Sequence, residues 1–243
     1  MTDTQMSSLT QRFDTICERM EKAVSRSARP AQNVQLVAIS KFHSAPKVTE
    51  LARYWAAHAS PSADTPTFGE NYMQEALEKM ASVKELLGPE ASTVRWHFTG
   101  HLQSKKAKEA AGAFELIHSV DSLKLALALQ KAWQNRVASA PRGLHDRPPT
   151  PQAVLVQVNV GREEQKSGVA PEALEELLSG IAAMPELSLQ GLMCLPPLAE
   201  IGESSRPYFV MLSELRDKMR TRCSLALPHL SMGMLDDFES AIE

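Results

Sequence analysis

Apolar residues at Leu9, Phe13, Ile16, Cys17, Met20, Ala23 and Val24 recur at the i, i+3, i+4 spacing of one helix face, which predicts an amphipathic helix over about residues 7–26. The period then changes. Val34-Gln35-Leu36-Val37-Ala38-Ile39 is a short, nearly continuous apolar run ending in Ser40-Lys41, the pattern of a strand buried on both faces. Such strands belong to parallel sheets, whose faces are covered by helices. Helical periodicity follows over about 46–58, a short strand at Thr67-Phe68-Gly69, a helix over about 72–87 and a strand over 94–99. Next come a helix over about 104–111, a strand over 116–120, and a helix capped by Asp121 that runs to about Val137.

The second half repeats the rhythm: a strand over 153–160, a helix from Pro171, a strand over 189–194, a helix over about 207–222, a strand over 229–232 and a helix starting near Asp236. Alternating strands and helices predict an α/β protein, a (β/α)8 barrel of the TIM type, in a single domain over residues 1–243. A closed barrel of this type needs about eight strands, whereas the pattern up to Glu243 supplies seven. The eighth is expected in a longer protein. Without it, a gap one strand wide should separate the strands at 36–40 and 230–232, leaving Leu36 and Ala38 uncovered.

Composition agrees with a folded chain, since 43% of residues are hydrophobic and 23% charged. Three stretches, 60–66, 140–151 and 199–206, lack periodicity and are expected to be exposed loops. Lys and Arg number 26 against 29 Asp and Glu, a net charge of −3, and the basic residues are scattered, so a nucleic-acid partner is not expected. No apolar run approaches the ~20 residues of a membrane span, and the polar N-terminus does not resemble a signal peptide. A cytoplasmic location without membrane contact is therefore expected. Cys17, Cys194 and Cys223 are odd in number and far apart, the pattern of buried, reduced thiols.

Active sites of α/β barrels gather at the C-terminal strand ends, which makes the polar residues following each apolar run the candidates. Lys41 follows the first strand directly. Its amine is either a nucleophile for aldehydes at the barrel mouth or a charge that reaches solvent along its alkyl stem. His97 is either a hydrogen-bonded histidine of a packed strand or a site residue. With His101 it forms an i, i+4 pair, but no third ligand is spaced to complete a metal site. Ser231-Met232-Gly233 ends the seventh strand, where barrels of this type often bind phosphate, although a Ser-x-Gly turn alone can be only a turn.

Several of these segments occur together in one order. Leu36-Val37-Ala38-Ile39-Ser40-Lys41, Phe68-Gly69-Glu70-Asn71-Tyr72 and Trp96-His97-Phe98-Thr99-Gly100-His101-Leu102-Gln103-Ser104 are followed by Lys166-Ser167-Gly168, Gly191-Leu192-Met193 and Leu230-Ser231-Met232-Gly233-Met234. From about residue 30 onward the sequence resembles the family of pyridoxal phosphate homeostasis proteins. The resemblance implies a barrel like the N-terminal domain of alanine racemase, of fold type III, with pyridoxal 5′-phosphate held as an internal aldimine on Lys41. It further implies that Asn71 lines the pocket and that the Ser231 hydroxyl and Gly233 amide hold the phosphate. The expected cofactor-binding set is Lys41, Asn71, His97, Ser231, Met232 and Gly233, with no catalytic residue and no metal. Leu235 stands where the family usually has serine, and the family's Val-Arg-Ile-Gly-Thr segment would come after Glu243. That segment supplies an arginine to the pyridine nitrogen and completes the phosphate cup, so the sequence as written is expected to bind cofactor weakly or not at all.

Three functions compete. The first is a cofactor carrier for pyridoxal phosphate homeostasis, without robust turnover, monomeric, with pyridoxal phosphate-dependent apo-enzymes as partners. It follows from the absence of the added β-domain whose tyrosine gives alanine racemase its second acid/base. The second is an amino-acid racemase or decarboxylase with Lys41 as one base and His97 or Tyr72 as the other. The third is a phosphosugar-binding barrel in which Lys41 is electrostatic.

Overall fold

Parallel strands cannot be joined by tight turns, so each strand of this chain is followed by a return segment, usually a helix, that brings the next one alongside. The computed structural model describes residues 8–27, 34–58, 63–139, 150–163, 165–197, 200 and 202–243. The elements run α1 (Ser8–Arg26), β1 (Ala38–Ile39), α2 (Ala45–Ala57), β2 (Thr67–Glu70), α3 (Met73–Leu87), β3 (Arg95–Phe98), α4 (Ala107–Ala110), β4 (Leu116–Val120) and α5 (Leu123–Ala138). They continue as β5 (Gln152–Gln157), α6 (Leu174–Ala182), β6 (Leu187–Met193), α7 (Arg206–Cys223), β7 (His229–Ser231) and α8 (Phe238–Ile242). All seven strands form one parallel sheet in the order β1-β2-β3-β4-β5-β6-β7.

The expected opening is present: among the described residues β1 and β7 are not hydrogen-bonded to each other. The first strand nevertheless differs from the expected one. A parallel strand with a single neighbour has half its backbone groups unpaired, and β1 shrinks to the two residues Ala38–Ile39. It is not buried on both faces. Leu36 and Ala38, expected to be uncovered, are half-buried against helices, and Ile39 on the opposite face is the exposed residue. Helices protect the free edge. Met20, Ala23 and Val24 of α1 cluster with Ile242 of α8, and Val34, Leu36 and Phe238 pack against them. Arg19 closes the seam by bonding both carboxylate oxygens of Glu239, at 2.6 and 2.9 Å, with its guanidinium 4.5 Å from the Phe238 ring centre.

Two further cores lie between sheet and helices. Phe13, Val48, Ala52, Trp55, Phe68, Val83 and Leu87 join α1, α2 and α3 to β2, while Ile117, Leu125, Leu129, Val154, Leu178, Ile181, Leu192 and Leu212 fill the space under α5–α7. The cap of α5 is Ser122, whose hydroxyl accepts from the Leu125 amide, and not Asp121. The cysteines are all free, but only Cys194 is buried; Cys17 and Cys223 are half-buried. Most of the expected 140–151 loop lies outside the described residues, and Gly202–Ser205 in the third expected loop forms a 3₁₀ turn.

β7 takes its position from a glycine. The register of β6 on β5 slips at Gln190, because Val154 pairs with Leu189 and Leu155 with Gly191. Gly191 has φ +150°, and a Cβ there would stand 1.9 Å from the His229 carbonyl oxygen. Gly191→Ala is expected to push β7 away and to lower stability by roughly 2–3 kcal/mol in urea unfolding. A loss below about 0.5 kcal/mol would show that this close approach is dispensable.

Candidate functional site

Lys41 sits in the turn that leaves β1, half-buried, and its Nζ makes no hydrogen bond or ion pair among the described residues. The turn around it is tightly held. Phe42 has φ +64°, a left-handed conformation that is costly for a bulky residue, with its side chain 73% exposed. Its amide donates to Glu75 Oε1 at 2.6 Å. On the other side of Lys41, the Ser40 carbonyl accepts from Lys79 Nζ at 2.5 Å, and the Ser40 hydroxyl donates to Glu70 Oε1 at 2.6 Å. Lys79 Nζ also donates to Glu70 Oε1 at 2.7 Å and Glu75 Oε1 at 2.8 Å. Three N–H donors thus meet three acceptors, which is how a lysine only 6% exposed is satisfied inside the protein. The Lys79 hydrogen bond, with help from the Phe42 amide, holds the Glu75 carboxyl below the usual carboxylate range.

A second polar chain crosses the sheet interior. His118 Nδ1 lies 2.7 Å from Ser231 Oγ, and His118 Nε2 lies 3.0 Å from His97 Nδ1. β3, β4 and β7 are thereby linked through side chains. Burial, with the nearby Arg95 and His229, pushes His97 down to about 4, and burial with His97 and His229 pushes His118 down to about 3. Both rings are neutral at pH 7.

At the C-terminal strand ends a cavity of about 270 Å³ is lined by Asn71, Thr99, His101, Gln157, Lys166 and Ser167, among others. The Thr99 hydroxyl donates to Asn71 Oδ1 at 2.8 Å, fixing the amide, and Ser167 Oγ lies 2.9 Å from His101 Nδ1. Lys166 is held by the Pro196 carbonyl at 2.9 Å and Glu163 at 2.7 Å. Past β7, Gly233 has φ +85°, and a Cβ there would come within 2.9 Å of Phe238 Cα. Its amide has no acceptor among the described residues, whereas the next amide, Met234, donates to Asp237 at 2.5 Å.

Of the residues expected at the site, Asn71 lines the cavity, while His97 and Ser231 belong to the histidine chain. Lys41 and Gly233 stand in turns following β1 and β7. Met232 is half-buried and packs against the main core. Lys79 escaped the sequence reading, and His118 entered it only as one of several polar residues at strand ends, without a role. Lys79 occupies the buried stripe of α3 between Ala76 and Val83, where the helical period calls for an apolar residue, and that misfit was its signal.

The family described as alanine racemase, N-terminal domain, matches residues 14–238. A pyridoxal phosphate homeostasis protein of Aquifex aeolicus is 38% identical over 234 residues, covering 96% of this chain and 90% of its own length. The human protein of that name is 34% identical over 235 residues, 93% of this chain and 78% of its own. Among solved structures, PipY of Synechococcus elongatus with pyridoxal phosphate bound superposes with a TM-score of 0.71 at 30% identity, over 93% of this chain and 92% of its own. An alanine racemase from Corynebacterium glutamicum, at 14% identity and a TM-score of 0.55 over 89% of this chain and 53% of its own, shares the fold.

Unfolding releases both buried histidines to their ordinary value near 6.5, so the unfolded chain binds more protons below that pH. Their stabilisation is complete above about pH 6.5 and is lost as pH falls toward 4. Urea unfolding at pH 4.5 against pH 7 should show a loss of roughly 2–3 kcal/mol per histidine, smaller in His118→Asn. Equal losses in the two proteins would assign the pH dependence to other groups.

Proposed function

We propose that this chain, which belongs to the alanine racemase N-terminal domain family, binds pyridoxal 5′-phosphate and holds it in reserve for proteins that use it, without a robust turnover of its own. The observation that carries the reading is the state of the amines. Lys79 has all three donors engaged and Lys166 is tied down, whereas Lys41, in a clamped turn at the end of β1, has an amine without a hydrogen bond or ion pair among the described residues. When bound, the cofactor contributes an aldehyde that condenses reversibly with a primary amine. The donor set fits such a group: the Lys41 amine for the aldehyde, the Ser231 hydroxyl and the Gly233 amide, unpaired among the described residues, for a phosphate, and Asn71 for the rest of the pocket, with His97 joined to Ser231 through His118. The relatives named for pyridoxal phosphate homeostasis, and the cofactor-bound PipY, support the same assignment.

Holding, as opposed to turnover, follows from the candidate bases. A racemase needs two, on opposite faces of its substrate. His97 is only 4% exposed, with its Nδ1 bonded to His118, and Tyr72 lies at the rim with its ring centre 5.2 Å from that of Phe42. The open edge between β1 and β7 is the place of an eighth strand in a (β/α)8 domain, and the expected partners are apo-enzymes that take up the cofactor.

Incubation with pyridoxal phosphate and reduction with borohydride should leave a single cofactor mass on the peptide containing Lys41. Lys41→Ala should abolish both the label and the visible absorbance, while Lys47, Lys105 and Lys106 stay unmodified. A reducible label that persists in Lys41→Ala would move the attachment point, and a wild type that takes no label yet binds a phosphosugar would favour the phosphosugar reading.

A further inference from the structure

We propose that His118 and His97 are positioning residues that order the proton of Ser231, so that its hydroxyl donates to the cofactor's phosphate. The inference rests on the phosphate assignment of Ser231 made above and adds what that assignment lacks, a reason for the hydroxyl to point its hydrogen outward.

The argument is a count of protons. A serine hydroxyl has one hydrogen and each neutral imidazole has one. Two bonds must be made, Ser231 to His118 Nδ1 and His118 Nε2 to His97 Nδ1. Only two arrangements satisfy both. In the first, Ser231 donates to His118 Nδ1, His118 donates from Nε2 to His97 Nδ1, and His97 carries its proton on Nε2. In the second, His97 donates from Nδ1 to His118 Nε2, and His118 donates from Nδ1 to Ser231 Oγ. Each residue keeps one proton throughout, yet only the second frees the serine hydrogen for a ligand. A phosphate has acceptors and, as a dianion, no donors, so it selects the second arrangement.

Burial maintains the condition on which this count depends. Both rings are held neutral, His97 is 4% exposed and His118 is 3% exposed, and water has little access to break the chain. With a protonated ring the two arrangements would no longer be exclusive. The distances of 2.7 and 3.0 Å are those of formed hydrogen bonds. Because the three residues come from β3, β4 and β7, the order set at Ser231 is anchored in the sheet and not in the loop that follows it.

The test pairs affinity with a direct view of the protons, using pyridoxal phosphate and pyridoxal, which lacks the phosphate. His118→Leu should weaken pyridoxal phosphate binding about tenfold or more while leaving pyridoxal within about twofold. His118→Asn, whose amide N–H can take the place of Nδ1–H, should recover most of the loss. In the wild-type complex with pyridoxal phosphate, ¹⁵N shifts should place the proton on Nδ1 of both histidines. Protons found on Nε2 in that complex would overturn the proposal, and this readout requires no variant to fold. Equal weakening of both ligands by His118→Leu would also overturn it, leaving a purely structural role. If Ser231→Ala binds pyridoxal phosphate as tightly as the wild type, the phosphate assignment itself fails, and the two failures are thereby told apart.

Discussion

One buried ammonium holds the turn on which the proposed chemistry depends. Lys79, on α3, reaches across to β1 and bonds the Ser40 carbonyl, while its partner Glu75 takes the Phe42 amide. The peptide groups flanking Lys41 are thus fixed by a cluster of three charges together with the His43 amide, which also donates to the Ser40 carbonyl at 3.0 Å. Placing charges inside a protein is expensive; every Lys79 donor is met and Glu70 Oε1 also accepts from the Ser40 hydroxyl, while Glu70 Oε2 is buried without a hydrogen-bond partner among the described residues. The left-handed conformation of Phe42 is a second cost borne at the same place. Strain and buried charge together set the direction in which the chain leaves the first strand, and with it the origin of the Lys41 side chain.

That rigidity matters because β1 is a weak element by itself. It is two residues long and pairs only with β2, in a sheet whose other end, β7, does not reach it. A strand so short cannot orient a functional group through its ladder alone. Helices do the work instead: α3 supplies the clamp, and α1 with α8 cover the free edge through Met20, Val24 and Ile242. The phosphate end is built differently. There Ser231 and Gly233 are placed by β7, which Gly191 admits close to β6, and by the histidine chain through the sheet interior.

Much of this was legible in the sequence, for identifiable reasons. Strands β2–β7 and the long helices follow from apolar period, and the strand ends at Lys41, Asn71 and Ser231 follow from where each run turns polar. What pattern could not show is pairing. A run such as Val34–Ile39 looks buried on both faces, but burial depends on having two neighbours, and β1 has one. Nor does period identify which polar residue bonds which. His118 was one of several strand-end residues until the fold set it between His97 and Ser231, and the polar break that Lys79 makes in the apolar stripe of α3 gained a meaning only when that helix was docked on β1. Both roles are tertiary facts, set by which elements meet.

The claim that a charge cluster holds the Lys41 turn can be read at one atom. The Phe42 amide belongs to a residue with an exposed side chain in a two-residue turn, and its only acceptor among the described residues is Glu75 Oε1. Native-state hydrogen exchange of that amide in the wild type and in Glu75→Ala, which also takes one acceptor from Lys79, reads how firmly the cluster holds the turn. The account predicts a slowly exchanging Phe42 amide whose protection falls roughly 10- to 100-fold in the variant, the range expected for a hydrogen bond to a charged group. A Phe42 amide that exchanges at the free-peptide rate in the wild type, or equally slowly in both proteins, would contradict it.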